Sequence, residues 1–197
     1  MPDSRIPEDP VAELLQVLNL KDSGENSFQG TTQWMPGGRV FGGQVLAQSL
    51  VAASATVDQD RRVHSLHSYF LRPGALDVPI DFEVDILRDG RSFSARRVQA
   101  SQESKVIFSM IASFQIPTDG VEHADKMPTG VSEPETLPSA KDLLGSFDHP
   151  VARYWANARP FDLRHEAESV YLKPATTKSN EQAVWFKPVS ALKIDGP

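Results

Sequence analysis

The sequence predicts an α+β domain in which an antiparallel sheet folds around one uncharged helix, and three observations carry that prediction. Residues 39–57, RVFGGQVLAQSLVAASATV, hold no charge after Arg39, although the surrounding chain is polar. Four strand-like runs follow in direct succession. Turn residues rather than helical segments separate those runs, so neighbouring strands are expected to pair antiparallel. A helix that is apolar or small nearly all round belongs in an interior, and a single such helix is enclosed only if a curved sheet wraps it.

Each element has its own local reason. Asp9 precedes Pro10, and Val11, Leu14, Leu15 and Leu18 recur at helical spacing, which predicts a short amphipathic helix over 10–19 with an Asp cap. Ser27 to Trp34 is rich in Thr and aromatic residues and reads as a strand ended by Met35-Pro36-Gly37-Gly38. In the uncharged helix, Leu46, Leu50, Ala53 and Val57 line one stripe, with Val45, Ala52, Ala47 and Ser49 on other sides. The four strands are Val63–Leu71, Ile80–Leu87, Ser92–Ser101 and Lys105–Ile116, and the Asp89-Gly90 pair marks a hairpin between the second and third. From Pro117 to Pro150 five prolines stand among Ser, Thr and acids, which reads as a linker with one helical turn in LPSAKDLLGSF. Ala158–Tyr171 and Gln182–Lys187 read as the first strands of a further unit.

Composition narrows the function. At 197 residues and 40% apolar content the chain can build a real core, and a net charge of −6 argues against a nucleic-acid partner, whose phosphates call for clustered Lys and Arg. The absence of cysteine removes disulfides, thiolate zinc sites and a cysteine nucleophile. MPDSRIPEDP has no apolar signal core and no run of about 18 apolar residues occurs, so no membrane insertion and a cytoplasmic location are expected.

Gly42 and Gly43, with Gln44, stand where the helix starts. The first amides of a helix lack internal partners and can hold a developing oxyanion, and glycine lets a substrate approach closely; equally, the pair can serve tight packing. His64 and His67 point to opposite faces of a strand and cannot share one metal ion. Each is open to a half-buried, hydrogen-bonded role or a polar contact with substrate. Of Arg96 and Arg97, one is expected in solvent and the other on an anion or on an acid such as Glu83 or Asp85. Asp148-His149 is weak evidence for catalysis, and no serine-hydrolase, phosphate-loop or dinucleotide motif occurs. No metal site and no cofactor are expected.

RVFGGQVLAQSL, VHSLHSYFLRPG, LRDGRSFSARRVQASQ and IFSMIASFQ, in this order, resemble the N-terminal half of the acyl-CoA thioesterase II family. The resemblance implies a hotdog fold, a sheet around a long central helix, made twice in each family member. It implies hydrolysis of fatty acyl-CoA to free fatty acid and coenzyme A without metal or covalent nucleophile, and acyl chains lying beside the helix; the edge and apolar face that a lone hotdog leaves uncovered predict homo-oligomers through sheet pairing. In that family the groups that orient the attacking water, an Asp followed by Ser or Thr and Gln, come from the second hotdog. The counterpart of the Asp-bearing stretch here is SLHSYFLRP, residues 65–73, with Ser65 at the Asp position. The expected organisation is a first hotdog over 1–117, a Pro-rich linker over 118–157 and the opening of a second hotdog over 158–197, truncated. Catalytic residues are therefore unassigned. Gly42, Gly43, Gln44 and His64 are the candidate substrate-binding residues, and a silent module that binds acyl-CoA or completes a partner's sheet is the alternative function.

Overall fold

The computed structural model describes residues 6–167 and 178–192. The chain forms two compact units, one over Leu15–Val121 and one that joins the residues up to Leu14 with those from Glu122 onward.

The first unit is built on a six-stranded antiparallel sheet. Its strands are β1 (Lys21–Gly24), β2 (Ser27–Gly30), β3 (Arg62–Phe70), β4 (Ile80–Asp89), β5 (Phe93–Gln102) and β6 (Lys105–Gln115), in the spatial order β1-β2-β4-β5-β6-β3. The uncharged segment forms the 13-residue helix α2, Gly42–Ser54, which packs against β4, β5 and β6. Helix α1, Pro10–Leu18, begins as expected, with Asp9 Oδ1 accepting from the amides of Val11 (2.9 Å) and Ala12 (3.2 Å).

Strand alternation puts every second residue toward the helix. Rows of partners cross the sheet on that face: Phe82, Ala100 and Phe108 in one, Val84, Val98 and Met110 in the next. With Ile80, Ala112 and Phe114 they bury Val45, Ala52 and Ala53 of α2. Large-beside-small neighbours leave the width the helix needs, and each buried Phe contributes on the order of 2–3 kcal/mol by leaving water.

The helix is not swaddled all round. Its buried stripe is Gln44, Val45, Gln48, Ser49, Ala52 and Ala53, while Val51 on the opposite side stays 37% exposed. The sheet covers one face, and two glutamines belong to that face because backbone carbonyls outside the sheet need donors, as described below.

Three features depart from expectation. A short strand, β1, precedes the expected 27–34 strand, which itself ends at Gly30. The Asp89-Gly90 hairpin forms with a longer loop, because the Gly90 amide returns to the carbonyl of Phe93 at 2.8 Å. The tight two-residue turn lies instead between β5 and β6, where Glu103 (φ 48°) and Ser104 (φ 63°) are both left-handed and Gln102 pairs with Lys105.

The second unit contains a 3₁₀ turn (Pro134–Thr136), helices α3 (Ala140–Leu144) and α4 (Pro150–Asn157), and the antiparallel pair β7 (Phe161–His165) and β8 (Val184–Pro188). Within 118–157, where one helical turn was expected, α4 is the addition. Ser139 and Asp142 close a capping box on α3, and His149 Nδ1 accepts from the Val151 amide at the start of α4. Asp148 pairs with Arg153. The Asp148-His149 pair therefore starts a helix. Tyr171, the end of an expected strand, lies outside the described residues. No described helix is long and apolar enough to cross a membrane.

Candidate functional site

Helix α2 begins without a side-chain cap. Phe41 occupies the cap position in extended geometry, and its carbonyl accepts from the amides of Gln44 (3.0 Å) and Val45 (3.4 Å). Among the described residues, the amides of Gly42 and Gly43 find no acceptor. These two N–H groups stand at the positive end of a 13-residue helix, where partial positive charge collects.

The glycines are also packing residues. A Cβ on Gly42 would stand 2.8 Å from Cε1 of Phe70, and one on Gly43 would collide with the ring of Phe41. The glycines thus let two aromatic rings, 58% and 59% exposed, close down on the helix end.

Beside Gly42 lies a cleft of about 410 Å³. Val40, Val45, Phe70, Leu71, Ile107 and Phe108 give it an apolar wall, and Arg39 and Arg72 stand at its edge. Its shape is held by backbone bonds. The amides of Leu71 and Arg72 both donate to the carbonyl of Ile107 (2.8 and 3.1 Å), and the Val40 amide donates to Gly74 (3.1 Å). Arg72 Nη1 donates to the carbonyl of Val106 at 2.6 Å. Buried Gln102 fixes the following turn: its Oε1 accepts from the Ala75 amide (2.8 Å) and its Nε2 donates to the carbonyls of Ala75 (2.9 Å) and Val78 (2.8 Å).

The residues singled out in the sequence separate here. Gln44 is 4% exposed and its amide is fully engaged: Oε1 accepts from the Gln33 amide (3.1 Å), while Nε2 donates to the Thr31 carbonyl (2.9 Å) and to Gln48 Oε1 (3.1 Å). Gln48 continues the ladder, donating to the carbonyls of Val17 (2.9 Å) and Thr31 (3.0 Å). Gln44 thus holds the helix mouth in place instead of offering a free amide to a ligand. His64 does not join the glycines. It shares 2.9 Å with Ser113 Oγ and meets Phe93 edge-on, six residues along β3 from Phe70, a span of about 20 Å. His67 packs edge-on against Tyr69. Phe41, Phe70, Arg39 and Arg72, which the structure gathers at the mouth, were visible in the sequence only as members of a strand end and a turn.

Among the described residues, the cleft lining contains no carboxylate and no histidine. It can bind an apolar chain and stabilise negative charge, but it offers no general base for activating water.

The first unit has the hotdog fold, and residues 31–115 match the acyl-CoA thioesterase N-terminal domain. A hot dog fold protein from Alicyclobacillus acidocaldarius superposes with a TM-score of 0.73 at 18% identity, a likeness of fold alone, covering 90% of this chain and 62% of that one. Acyl-CoA thioesterase 2 of Haemophilus influenzae is 37% identical over 189 residues, covering 92% of this chain and 64% of the relative. The structure of acyl-CoA thioesterase II TesB2 from Mycobacterium marinum matches at 37% identity and a TM-score of 0.71, covering 92% of this chain and 62% of that one. The chain belongs to the acyl-CoA thioesterase II family and spans less than two thirds of the length of these relatives.

Proposed function

We propose that the chain supplies the substrate-binding half of a fatty acyl-CoA thioesterase, which hydrolyses the thioester to free fatty acid and coenzyme A. The observation that supports this reading is the cleft at Gly42. Its apolar wall suits an acyl chain, its two arginines suit the phosphates of coenzyme A, and the acceptor-free amides of Gly42 and Gly43 at the helix start support a role in receiving charge on a thioester oxygen. The family's named relatives point the same way.

Water activation is assigned to a group outside this cleft, since its lining holds none and Ser65 occupies the position of the family's Asp. That same observation favours a second reading, a silent module that binds acyl-CoA or completes a partner's sheet. A cytoplasmic location belongs to the proposal and is tested by fractionation.

The deciding experiment titrates acyl-CoA esters of increasing length into the chain while released thiol is followed. Affinity that rises with chain length, by up to about 0.8 kcal/mol per buried methylene, supports the cleft as acyl site. Thiol release then favours the enzyme, and tight binding without release favours the module. No binding at any length overturns the enzyme and the acyl-CoA-binding module, and leaves only completion of a partner's sheet. Gly43→Val, whose side chain intrudes on the helix mouth, lowers binding and turnover with folding retained; unchanged values remove the glycine amides from the site.

A further inference from the structure

The second unit holds a guanidinium with no counter-ion among the described residues, and it lines a cavity. Arg159 stacks on Trp155, its guanidinium carbon 4.1 Å from the ring centroid. Its Nη1 is buried, and among the described residues the guanidinium has neither a hydrogen-bond acceptor nor an ion pair. A buried charged donor left unmet is costly, and native structures rarely keep one without a partner that water or a ligand provides.

Both Trp155 and Arg159 line a cavity of about 350 Å³. That volume falls within the range of small-molecule sites. Three more cations line it, Lys141, Arg164 and Lys187, of which two are already neutralised. Arg164 pairs with Asp162 (2.9 Å) and Glu135 (3.0 Å), and Lys187 pairs with Glu135 (2.7 Å). Asp142 keeps its negative charge in the α3 capping box, where Ser139 Oγ donates to it at 2.6 Å; that hydroxyl first, and then Arg164 and Lys141, hold its carboxyl below the ordinary range. Arg159 is left with neither an acceptor nor an ion pair among the described residues, while Lys141 stands beside Asp142. The charge of Arg159 is felt close by: burial first, and then this guanidinium, hold His165 below its ordinary pKa.

We propose that this cavity is a binding site for a phosphate-bearing anion, held by Arg159 against Trp155 and by Lys141 at the rim. A guanidinium fork suits the oxygens of a phosphate monoester or of free phosphate, and Lys141 adds a second cation to the lining. The site goes beyond the thioesterase reading, because it draws on none of the residues of the cleft at Gly42.

The test uses the full chain and follows the Trp155 indole N–H resonance, identified with Trp155→Phe, during titration with inorganic phosphate, AMP and adenosine. Saturable shifts with phosphate and AMP but not with adenosine are expected. Arg159→Met keeps the stem and removes the charge; it weakens the phosphate response at least about tenfold. Arg97→Met, which removes a surface charge elsewhere, leaves the response unchanged. AMP binding more tightly than phosphate identifies a nucleotide as the source; equal binding identifies free phosphate. Thermal melts supply a second measure, since phosphate raises the melting temperature of the wild type and of Arg97→Met but not of Arg159→Met. No saturable shift at Trp155, or a shift that Arg159→Met preserves, overturns the site.

Discussion

Arg96 grips both oxygens of Thr56: Nε donates to Oγ1 at 2.9 Å and Nη2 to the carbonyl at 2.8 Å. Thr56 follows the last turn of α2, where unmatched carbonyls carry partial negative charge, so a buried cation is well placed there. Nη1 adds bonds to the carbonyls of Arg88 (3.2 Å) and Ala95 (3.0 Å), and Nη2 a bond to Asp89 Oδ1 (2.9 Å). At 2% exposure this arginine is the largest fully buried side chain among the described residues.

Replacing Arg96 therefore strands several acceptors at once. Arg96→Met should lower stability by about 2–4 kcal/mol. Arg96→Lys should recover little, because a single ammonium cannot reach acceptors spread across a planar fork. Urea unfolding of both variants measures this; a loss below about 0.5 kcal/mol for the methionine variant would contradict the role.

The same cluster sets a pH dependence. Asp89 is held below the ordinary carboxylate range, first by the hydroxyl of Ser94, which donates at 2.6 Å, then by Arg96. A depressed carboxylate stabilises the folded state above its unfolded pKa, and that contribution fades as pH falls through the lower folded value. Stability should thus drop below about pH 4, and Asp89→Asn should flatten that part of the profile. The carboxylate is 51% exposed, so added salt weakens the effect. Denaturation midpoints across the acid range, at low and high salt, provide the check.

The turn between β5 and β6 asks Glu103 and Ser104 for left-handed backbone, which residues with a side chain adopt at a cost of about 1–2 kcal/mol each. Glu103→Asn with Ser104→Gly supplies the pair that this turn prefers. The double variant should gain about 1 kcal/mol in stability without altering ligand binding at the cleft. A lower melting temperature would show that the original side chains make compensating contacts.

Among the described residues, strand β3 is an edge paired only with β6, and it exposes Val63, Leu66, Tyr69 and Phe70. An open row of backbone donors and acceptors beside apolar side chains invites pairing with a second copy. Sedimentation should show self-association that rises with concentration. Leu66→Lys, with charge on the edge, should shift the distribution toward monomer. A monodisperse monomer for the unaltered chain would remove sheet pairing from the proposed assembly.

Most of the first unit was legible because its strands alternate cleanly and its turns are short. Ile80, Phe82 and Val84 announce one face of β4, and Val98 and Ala100 the matching face of β5. Arg96 shares the parity of Val98 and Ala100, so its inward position was available from the two-residue period. Its charge argued the other way, and only the carbonyls at the end of α2 explain why burial wins. Arg97, of opposite parity, meets Asp85 at 2.7 Å in solvent, one of the acids anticipated for it. Gln44 and Gln48 were hidden for a different reason. Spaced four apart on one helix face they look like surface residues, and their acceptors on Val17 and Thr31 lie far away in sequence. Helix α4 was masked by the prolines around it, although Pro150 in its first turn is itself a start signal. At the cleft, Phe70 and Arg72 come from a strand end and Arg39 from before a helix, a convergence that no local pattern encodes.

The ladder from Val17 through Gln48 and Gln44 to Gln33 contains only neutral amides, whereas the opposite end of α2 is tied by Arg96 and Asp89. Protons and ions act on one mooring and pass the other by. Under acid or brine the rod should loosen from its tail, with the glycine end keeping its berth until the sheet itself gives way.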